Sequence, residues 1–448
     1  MSNPEDHPPT PESAARFVTE RLQQNGHVAT FAGGCVRDRL LAKQPTDFDI
    51  ATDAPPERVV ELFPRALEVG KAFGVIIVQH DGHDIEVATF RLEGGYEDGR
   101  HPEHVSFSTN IEDDARRRDF TINAMFYDPV ADTVLDFVHG RDDLKKRIIR
   151  CVGKAEERFG DDHLRMLRAV RFASRFEFTL DAETHSAIQT HAAQIQRISP
   201  ERIREELTRT FMEAQHAGDA LILLDDVGLL EHVLPEVAAL KGTEQPPQYH
   251  PEGDVFKHVV LMLNTMDERT PELIYAVLFH DIGKPATAEF SDGRIRFNGH
   301  AELGETMAQT IMRRLRFSNQ MIDDVSACVL RHMRFIDVQK MRKAKLRRMI
   351  GAPVFPTELE LHRLDCLSSH GMLDNFEFLT TYRADMLAEP VLPPPWISGR
   401  DILGLDVKEG PDVGKWHRLA YDQQLDGVIT SREALLGWLA EAIAAERD

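Results

Sequence analysis

The chain has 448 residues, and its 53 Lys and Arg against 74 Asp and Glu give a net charge of −21. This balance excludes a protein whose whole surface binds polyanions, so any nucleic-acid contact must be local. The length predicts two to four domains, and no run of about 18 apolar residues is present that could span a bilayer. The four cysteines lie far apart, which indicates reduced thiols. The start MSNPEDHPPTPES is acidic and Pro-rich, so we expect a disordered tail over residues 1–13 of a cytoplasmic protein.

The pattern along the chain predicts a mixed α/β domain followed by helical regions. Residues 14–150 alternate helical and strand-like pieces, including the β-rich VIIVQH and HDIEVATFRL. Residues 151–240 carry apolar positions at helical spacing, and the polar stretch 241–252 contains three prolines and predicts a linker. We expect a second helical, His-rich domain over 253–389 and a short helical tail over 390–448.

A Gly-Gly turn and two spaced aspartates suggest phosphate chemistry. In FAGGCVRDRLLAKQPTDFDIAT, Gly33 and Gly34 precede a helix-like run, and Asp47 and Asp49 follow. Glycines at a helix entry let backbone N–H groups approach a phosphate. Residues i and i+2 of a strand share a face, and two adjacent carboxylates suit a pair of Mg²⁺ ions that hold a triphosphate and an attacking hydroxyl. A later strand bearing Glu86 makes this combination suggestive of a nucleotidyltransferase.

Five motifs carry a resemblance to a known family. GGCVRD, TDFDIAT, RRRDFTINAMFYD, DDHLRMLRAVRFASRF and SPERIREEL occur in the order typical of the bacterial class II tRNA nucleotidyltransferase and poly(A) polymerase family, between about Phe31 and Leu207. The resemblance implies an elongated multidomain protein with an α/β polymerase-β-like head and all-helical neck, body and tail regions.

The resemblance also implies roles for residues of the head. Asp47 and Asp49 would hold the catalytic Mg²⁺, with Glu86 as the candidate third catalytic carboxylate. Nucleotide-binding positions near the triphosphate and in the pocket would be Gly33, Gly34, Arg37, Arg118, Asp119 and Asn123.

The motif DDHLR contains a candidate base-reading pair, Asp162 and Arg165, which the spacing predicts on one helix face. From spacing alone an ordinary ion pair is the better interpretation. Cytosine and adenine, however, each offer an amino donor beside a ring-nitrogen acceptor, so the aspartate would accept from the amino group while the arginine donates to the ring nitrogen. The family uses these two positions in this way, although Asp161 stands where the family has Glu. Glu201 and Arg202 open a further helix, and a network that braces helices is the favoured interpretation.

Two basic segments are candidates for contact with RNA phosphates. Residues 141–175 contain 11 Lys and Arg against six Asp and Glu, and residues 331–348 contain eight against one. In an acidic chain such local charge indicates a phosphate track, with recognition of backbone shape and a single-stranded 3′ end. Solvated helix faces are the alternative, which is equally well supported for the first segment and less well for the second.

A second group of metal-type residues lies in the His-rich region. The sequence LFHDIGKP resembles the HD phosphohydrolase superfamily, whose helical fold binds one or two divalent metals. Its ligand pattern falls on His258, His280, Asp281 and Asp365, with His300 and His332 as candidates for a second metal. Imidazole and carboxylate ligands suit divalent transition metals or Mg²⁺, with a bound water attacking a phosphoester.

The sequence therefore predicts an enzyme that adds C and A, or A alone, from CTP and ATP to the tRNA 3′ end, with HD phosphohydrolase activity as a second function. A poly(A) polymerase of the same family shares the head motifs, and the loop YEDGRHPEHVSFSTN does not decide between the two. A third interpretation is a metal-dependent HD phosphohydrolase whose head only binds nucleotides.

Overall fold

The computed structural model describes residues 9–94, 104–246, 253–291, 294–386 and 390–447. The chain divides into two compact units, Met1–Ala238 and Ala239–Asp448. Part of the loop YEDGRHPEHVSFSTN and the second half of the expected linker lie outside the described residues.

A seven-stranded mixed sheet forms the framework of the first unit, with strand order β3-β4-β5-β2-β1-β8-β9. Strands β2 and β5 are parallel, and the other neighbouring pairs are antiparallel. All four residues of β1 are buried, as expected for a central strand. The strands of this unit, including two small two-stranded ladders, are β1 Ala29–Ala32, β2 Asp49–Thr52, β3 Ala66–Leu67, β4 Val75–His80, β5 His83–Thr89, β6 Arg91–Gly94, β7 His104–Phe107, β8 Met125–Asp128, β9 Thr133–Asp136, β10 Ile148–Ile149 and β11 Thr179–Leu180.

Helices cover the sheet and continue beyond it to the end of the first unit. They are α1 Pro11–Gln24, α2 Gly34–Leu40, α3 Pro56–Leu62, α4 Ile111–Arg116, α5 Gly140–Lys146, α6 Ala155–Asp161, α7 Leu164–Phe176, α8 Ala182–His191, α9 Pro200–Glu213, α10 Ala217–Asp226, α11 Leu230–Val233 and α12 Pro235–Ala238. Thr10 and Ser13 form a capping box, so α1 begins at Pro11. The expected tail over residues 1–13 is therefore too long, and residues 1–8 lie outside the described part of the chain.

Helices α7 and α9 pack together, with Arg165 of the candidate base-reading pair in α7 and the bracing motif at the start of α9. Both are amphipathic, with apolar faces that include Leu167, Val170 and Leu207. A buried ion pair joins them, because the Arg171 Nε lies 2.5 Å from the Glu206 Oε1. Breaking such a pair leaves an uncompensated buried charge, so this contact helps to set the position of α7 relative to α9.

The second unit is mainly helical, with one small hairpin of β12 Glu289–Ser291 and β13 Arg294–Arg296. Its helices are α13 Val255–Thr265, α14 Pro271–Phe279, α15 Lys284–Thr287, α16 His300–Arg314, α17 Asn319–Arg331, α18 Lys343–Ile350, α19 Phe355–Ser368, α20 Asp374–Asp385, α21 Gly399–Leu403, α22 Pro411–Asp426 and α23 Arg432–Arg447. Separate apolar clusters lie around Phe355 and around Trp416. In the described ranges, none of the helices has the length and apolar composition required to cross a bilayer.

Candidate functional site

The turn between β1 and α2 brings the chain close to an arginine. Gly33 has φ = 72°, a conformation that favours glycine, and a Cβ at this position would lie 3.0 Å from the Arg118 Nη1. Gly34 begins α2, and Arg37 lies one turn further along the same helix. Gly33 is therefore required by the backbone conformation and by the close approach of the guanidinium group.

Three carboxylates lie near the start of β2, where this strand pairs with the middle of β5. Asp49 is the first residue of β2 and is the register partner of Glu86 in the parallel strand β5. Asp47 precedes the strand, so the expectation that both aspartates lie on one strand is wrong, although all three residues line one cavity. Loss of surrounding water, with the charges of Glu86 and Asp47, raises the pKa of Asp49 to about 6, while Arg118 opposes this effect. Mutual repulsion among these groups is what a bound cation would relieve.

The arginine block is held in place by a buried aspartate of α4. The Arg117 Nε donates to Asp114 Oδ1 at 2.7 Å, and the Arg118 Nη2 donates to Asp114 Oδ2 at 2.9 Å. Burial alone would raise the pKa of Asp114, but the guanidinium groups of Arg118 and Arg117 outweigh it and lower the pKa. Sequence reasoning missed Asp114, although the spacings of three and four residues on a helix are a signal for such a pairing.

Arg37, Asn123 and Asp119 form a connected network next to this block. The Arg37 Nη1 donates to Asn123 Oδ1 at 2.5 Å, and the Asn123 Nδ2 donates to Asp119 Oδ1 at 3.3 Å. The Asp119 Oδ2 accepts from the Nε and Nη2 of Arg168 at 2.9 and 2.6 Å. These partners fix the orientation of the side chains before any ligand is bound.

Asp162 and Arg165 lie on either side of a helix start, and the expectation that they occupy one helix face is wrong. Asp162 is the C-cap of α6, with extended backbone at φ = −145° and ψ = 108°, whereas Arg165 is in the first turn of α7. The Asp162 Oδ1 accepts from the Leu164 backbone N–H at 3.0 Å. The Arg165 Nη2 donates to the Arg117 carbonyl at 3.2 Å, and its Nη1 lies 3.5 Å from Asp161 Oδ2.

Arg202 contacts the candidate base-reading residue directly. Its Nη2 donates to Asp162 Oδ2 at 2.9 Å. Because the Leu164 backbone N–H donates to the other oxygen, Oδ1, both oxygens of the carboxylate accept a hydrogen bond. The expected helix-bracing contact therefore includes the proposed base-reading group.

One cleft of about 710 Å³ collects these residues. All the candidate head positions line it, namely Gly33, Gly34, Arg37, Asp47, Asp49, Glu86, Arg118, Asp119, Asn123, Asp162 and Arg165. The lining also contains arginines that sequence reasoning did not single out, Arg168, Arg171, Arg175 and Arg209. The three in α7 continue the three- and four-residue spacing from Arg165, so a basic helix face was visible in the sequence.

A second cluster, built from histidines and aspartates, lies in the second unit. Ligand-type atoms of His258, His280 and Asp365 lie within 4.8 Å of one another, and so do those of Asp281, His300 and His332. All six predicted HD positions are thus brought together in two adjoining triads that could hold divalent metal.

Backbone carbonyls orient three of these imidazoles. The Nδ1 atoms of His280, His300 and His332 lie 2.9, 2.7 and 2.7 Å from carbonyl oxygens three residues earlier in the chain. Nδ1 is therefore the donor, which leaves Nε2 free to act as a metal ligand. Burial lowers the pKa of His332 to about 4 and also lowers that of His300, which favours the neutral form of both rings.

Three family models match the chain in order. They are the Poly A polymerase head domain over residues 29–150, the "Probable RNA and SrmB- binding site of polymerase A" over residues 177–241, and the HD domain over residues 255–363.

Curated and solved relatives agree with these matches. The chain is 47% identical over 216 residues to the CCA-adding enzyme of Oceanobacillus iheyensis and 38% identical over 270 residues to that of Lactobacillus gasseri. These alignments cover 48% and 58% of this chain, and the chain spans 54% and 66% of the two relatives' lengths. The structure is similar to that of the Bacillus stearothermophilus CCA-adding enzyme in complex with CTP, with a TM-score of 0.77 at 28% identity over 98% of both chains. The chain therefore matches a Poly A polymerase head domain in its first half and an HD domain in its second half, and it is similar in sequence and structure to CCA-adding enzymes.

Proposed function

We propose that this protein is a tRNA nucleotidyltransferase that adds C and A from CTP and ATP to the tRNA 3′ end. The observation that carries the proposal is that a carboxylate cluster and a candidate base-reading pair line the same cleft. The curated relatives are named CCA-adding enzymes, and the solved relative from B. stearothermophilus holds CTP. Because the proposed substrate is tRNA, we place the activity in the cytoplasm.

The carboxylates would act on the triphosphate end of the nucleotide. Asp47 and Asp49, with Glu86 as the third carboxylate, would hold Mg²⁺, which supplies charge neutralisation for the pyrophosphate that leaves. The tRNA 3′-hydroxyl would attack the α-phosphate in line. Arg118 and the Gly33–Gly34 turn lie beside the carboxylates in the cleft and would bind phosphate oxygens.

Asp162 and Arg165 would select the base. The aspartate oxygens are held by the Leu164 N–H and by Arg202, so the carboxylate presents its remaining lone pairs in a fixed direction. An ionised carboxylate only accepts and a guanidinium only donates. Cytosine and adenine match this order, whereas guanine and uracil present the opposite one.

Basic surfaces of both units are proposed to contact the tRNA backbone. In the first unit, Arg175 and Arg209 line the cleft with the carboxylates. In the second unit, Arg331, Arg334, Lys345 and Arg348 line a separate groove of about 530 Å³. Guanidinium and ammonium groups bind phosphates irrespective of sequence, as a substrate with many tRNA variants requires.

The HD domain supports a second proposed activity, metal-dependent hydrolysis of a phosphoester. The fixed Nδ1–H donors of His280, His300 and His332 are the feature that favours it, because such contacts orient metal ligands. The donor set of four imidazoles and two carboxylates suits a divalent transition metal or Mg²⁺. The bound metal would supply a nucleophilic water.

A primer experiment tests the polymerase proposal. Purified protein is incubated with Mg²⁺, one labelled nucleoside triphosphate at a time, and tRNAs that lack the last one, two or three nucleotides. Addition of C, C and A followed by a stop supports CCA addition, and A added only to the last gap indicates an A-adding specialist. Open-ended A addition to any RNA would make the protein a poly(A) polymerase.

Matched variants complete this experiment. The double variant Asp47→Ala, Asp49→Ala should be inactive, while Asp81→Asn, in an exposed turn outside the cleft, should act as wild type. Equal inactivity of all three proteins with every primer would contradict the proposal and leave the HD domain as the catalytic part.

A further inference from the structure

A chain of buried polar contacts links the HD cluster to a residue outside the HD family match. The Gln245 Oε1 accepts a hydrogen bond from Lys284 Nζ at 2.6 Å, and the same Nζ lies 2.7 Å from Asp281 Oδ2. All three residues are buried, with exposed fractions of 2%, 7% and 2%. Gln245 thus lies two contacts away from a proposed metal ligand.

The orientation of the Gln245 amide follows from the chemistry of its partner. An ammonium group only donates, so the amide oxygen must face Lys284 and the Nε2 must point elsewhere. Within the described ranges, this buried Nε2 has no hydrogen-bond partner. An unsatisfied buried donor destabilises the folded protein, and an apolar residue of similar size would avoid this cost. The feature that offsets it is the contact with Lys284.

The two carboxylate oxygens of Asp281 have different neighbours, and Lys284 contacts one of them. The ammonium occupies the Oδ2 side, while the Oδ1 lies 3.6 Å from His300 Nε2 and 3.7 Å from His332 Nε2. A freely moving ammonium would repel a divalent cation at these histidines. Held by Gln245, it remains on the far oxygen and leaves the near one available as a ligand.

The backbone also ties Gln245 to the start of the HD domain. The Gln245 N–H donates to the Gly253 carbonyl at 2.8 Å, and Glu244 forms an isolated bridge with Asp254, the N-cap of α13. Residues 244 and 245, which the sequence predicted as linker, are therefore attached to the helix that carries His258.

We propose that Gln245 is a positioning residue of the HD metal site, acting through Lys284 on Asp281. The segment before the HD family match at residues 255–363 is then part of the site. This inference rests on the proposed metal binding of the HD domain and is independent of nucleotide addition by the head.

Cobalt binding to the metal-free 448-residue chain tests the proposal, and it is measured by visible absorption and by calorimetry. Gln245→Met should weaken Co²⁺ binding about tenfold, in the range usual for residues that orient metal ligands. Gln245→Glu retains an oxygen acceptor and should restore affinity. Gln339→Met, which removes an exposed amide that contacts Asn375, is the control and should bind as wild type.

Lys284→Met separates positioning from charge repulsion. If the ammonium fixes Asp281, this variant binds Co²⁺ more weakly than wild type. Tighter binding would mean that the ammonium only repels the metal, and would overturn the proposal, as would unchanged affinity of Gln245→Met. A lower metal-free melting temperature of Gln245→Met without rescue of affinity by Gln245→Glu would assign the residue a purely structural role.

The outcomes also distinguish this inference from the function it rests on. If wild type binds no Co²⁺ and a His300→Ala variant behaves identically, the metal site itself is wrong. If Gln245→Met binds Co²⁺ as tightly as wild type while His300→Ala binds it more weakly, the metal site stands and the role of Gln245 is rejected.

Discussion

Arg202 donates a 2.9 Å hydrogen bond to the same carboxylate, that of Asp162, that we propose reads the incoming base. Arg202 is part of α9, whereas Asp162 precedes α7. Base selection would therefore depend on how two helices are placed relative to each other.

Replacing Arg202 with Met should weaken discrimination between bases. Loss of a hydrogen bond to a charged group costs about 1.5–3 kcal/mol, so kcat/KM for CTP and ATP should fall roughly 10- to 100-fold, with a smaller fall for GTP and UTP. Single-nucleotide addition rates with each triphosphate measure this. Arg204→Met, on the same helix but outside the cleft lining, should retain selectivity. A uniform loss with all four nucleotides would argue against a role in base reading.

Substitutions in the carboxylate cluster should slow nucleotide addition without weakening the binding of ATP. Asp49→Asn and Glu86→Gln should each lower kcat for nucleotide addition by roughly 1,000-fold, because metal-assisted stabilisation of the transition state is worth several kcal/mol. The affinity of each variant for ATP in the absence of Mg²⁺, measured by calorimetry, should be unchanged or higher, because a negative charge has been removed. Normal turnover in Glu86→Gln would exclude Glu86 as the third catalytic carboxylate.

The buried carboxylate of Asp114 should make a pH-dependent contribution to the free energy of unfolding. Its pKa is lowered in the folded protein, so its contribution is complete above the pKa of the unfolded chain and is lost as pH falls through the folded value. Asp114→Asn leaves two arginines without their shared partner and should destabilise the protein by about 3 kcal/mol at pH 7. The difference from wild type should shrink in strongly acidic buffer.

Glu112→Gln is the matched control for this measurement. Glu112 pairs with Arg116 on the same helix, but its side chain is 38% exposed, so its loss should cost less than about 1 kcal/mol. Thermal or urea unfolding of both variants across pH gives the comparison. Equal effects of the two substitutions would show that the buried position of Asp114 adds nothing.

Metal removal should affect the two proposed activities in different ways. After treatment with a chelator, Mg²⁺ should restore nucleotide addition, whereas a transition metal such as Mn²⁺ or Ni²⁺ should best restore hydrolysis of a phosphodiester by the HD site. His280→Ala should abolish hydrolysis and leave nucleotide addition to a shortened tRNA intact, because the two clusters lie in separate compact units. Loss of both activities in this variant would contradict two independent sites.

The sequence predicts the local elements and the residue types of the site well, but it predicts their partners poorly. The β-rich segments VIIVQH and HDIEVAT are the strands β4 and β5, because alternation and turn residues act over short distances. The α/β head followed by helical regions is also confirmed.

Contacts between distant segments are where sequence reasoning failed. The pairing of Arg202 with Asp162 joins positions 40 residues apart, and that of Gln245 with Lys284 joins positions 39 apart. No periodicity encodes such contacts. The helix break at Asp162 was also missed, because DDHLR is compatible with continuous helix until the side chain of Asp162 accepts from the Leu164 N–H and starts a new one.

The parallel pairing of β2 with β5 makes the carboxylate cluster sensitive to strand register. Asp49 and Glu86 face each other only because the two strands align at this position. Deletion of a single residue within β5 would turn Glu86 to the opposite face of the sheet while leaving the sequence TDFDIAT untouched. A relative with an intact pair of aspartates but a shortened β5 would therefore keep the recognisable motif and lose the third carboxylate. Among such relatives, the length of β5 is as informative about activity as the motif itself.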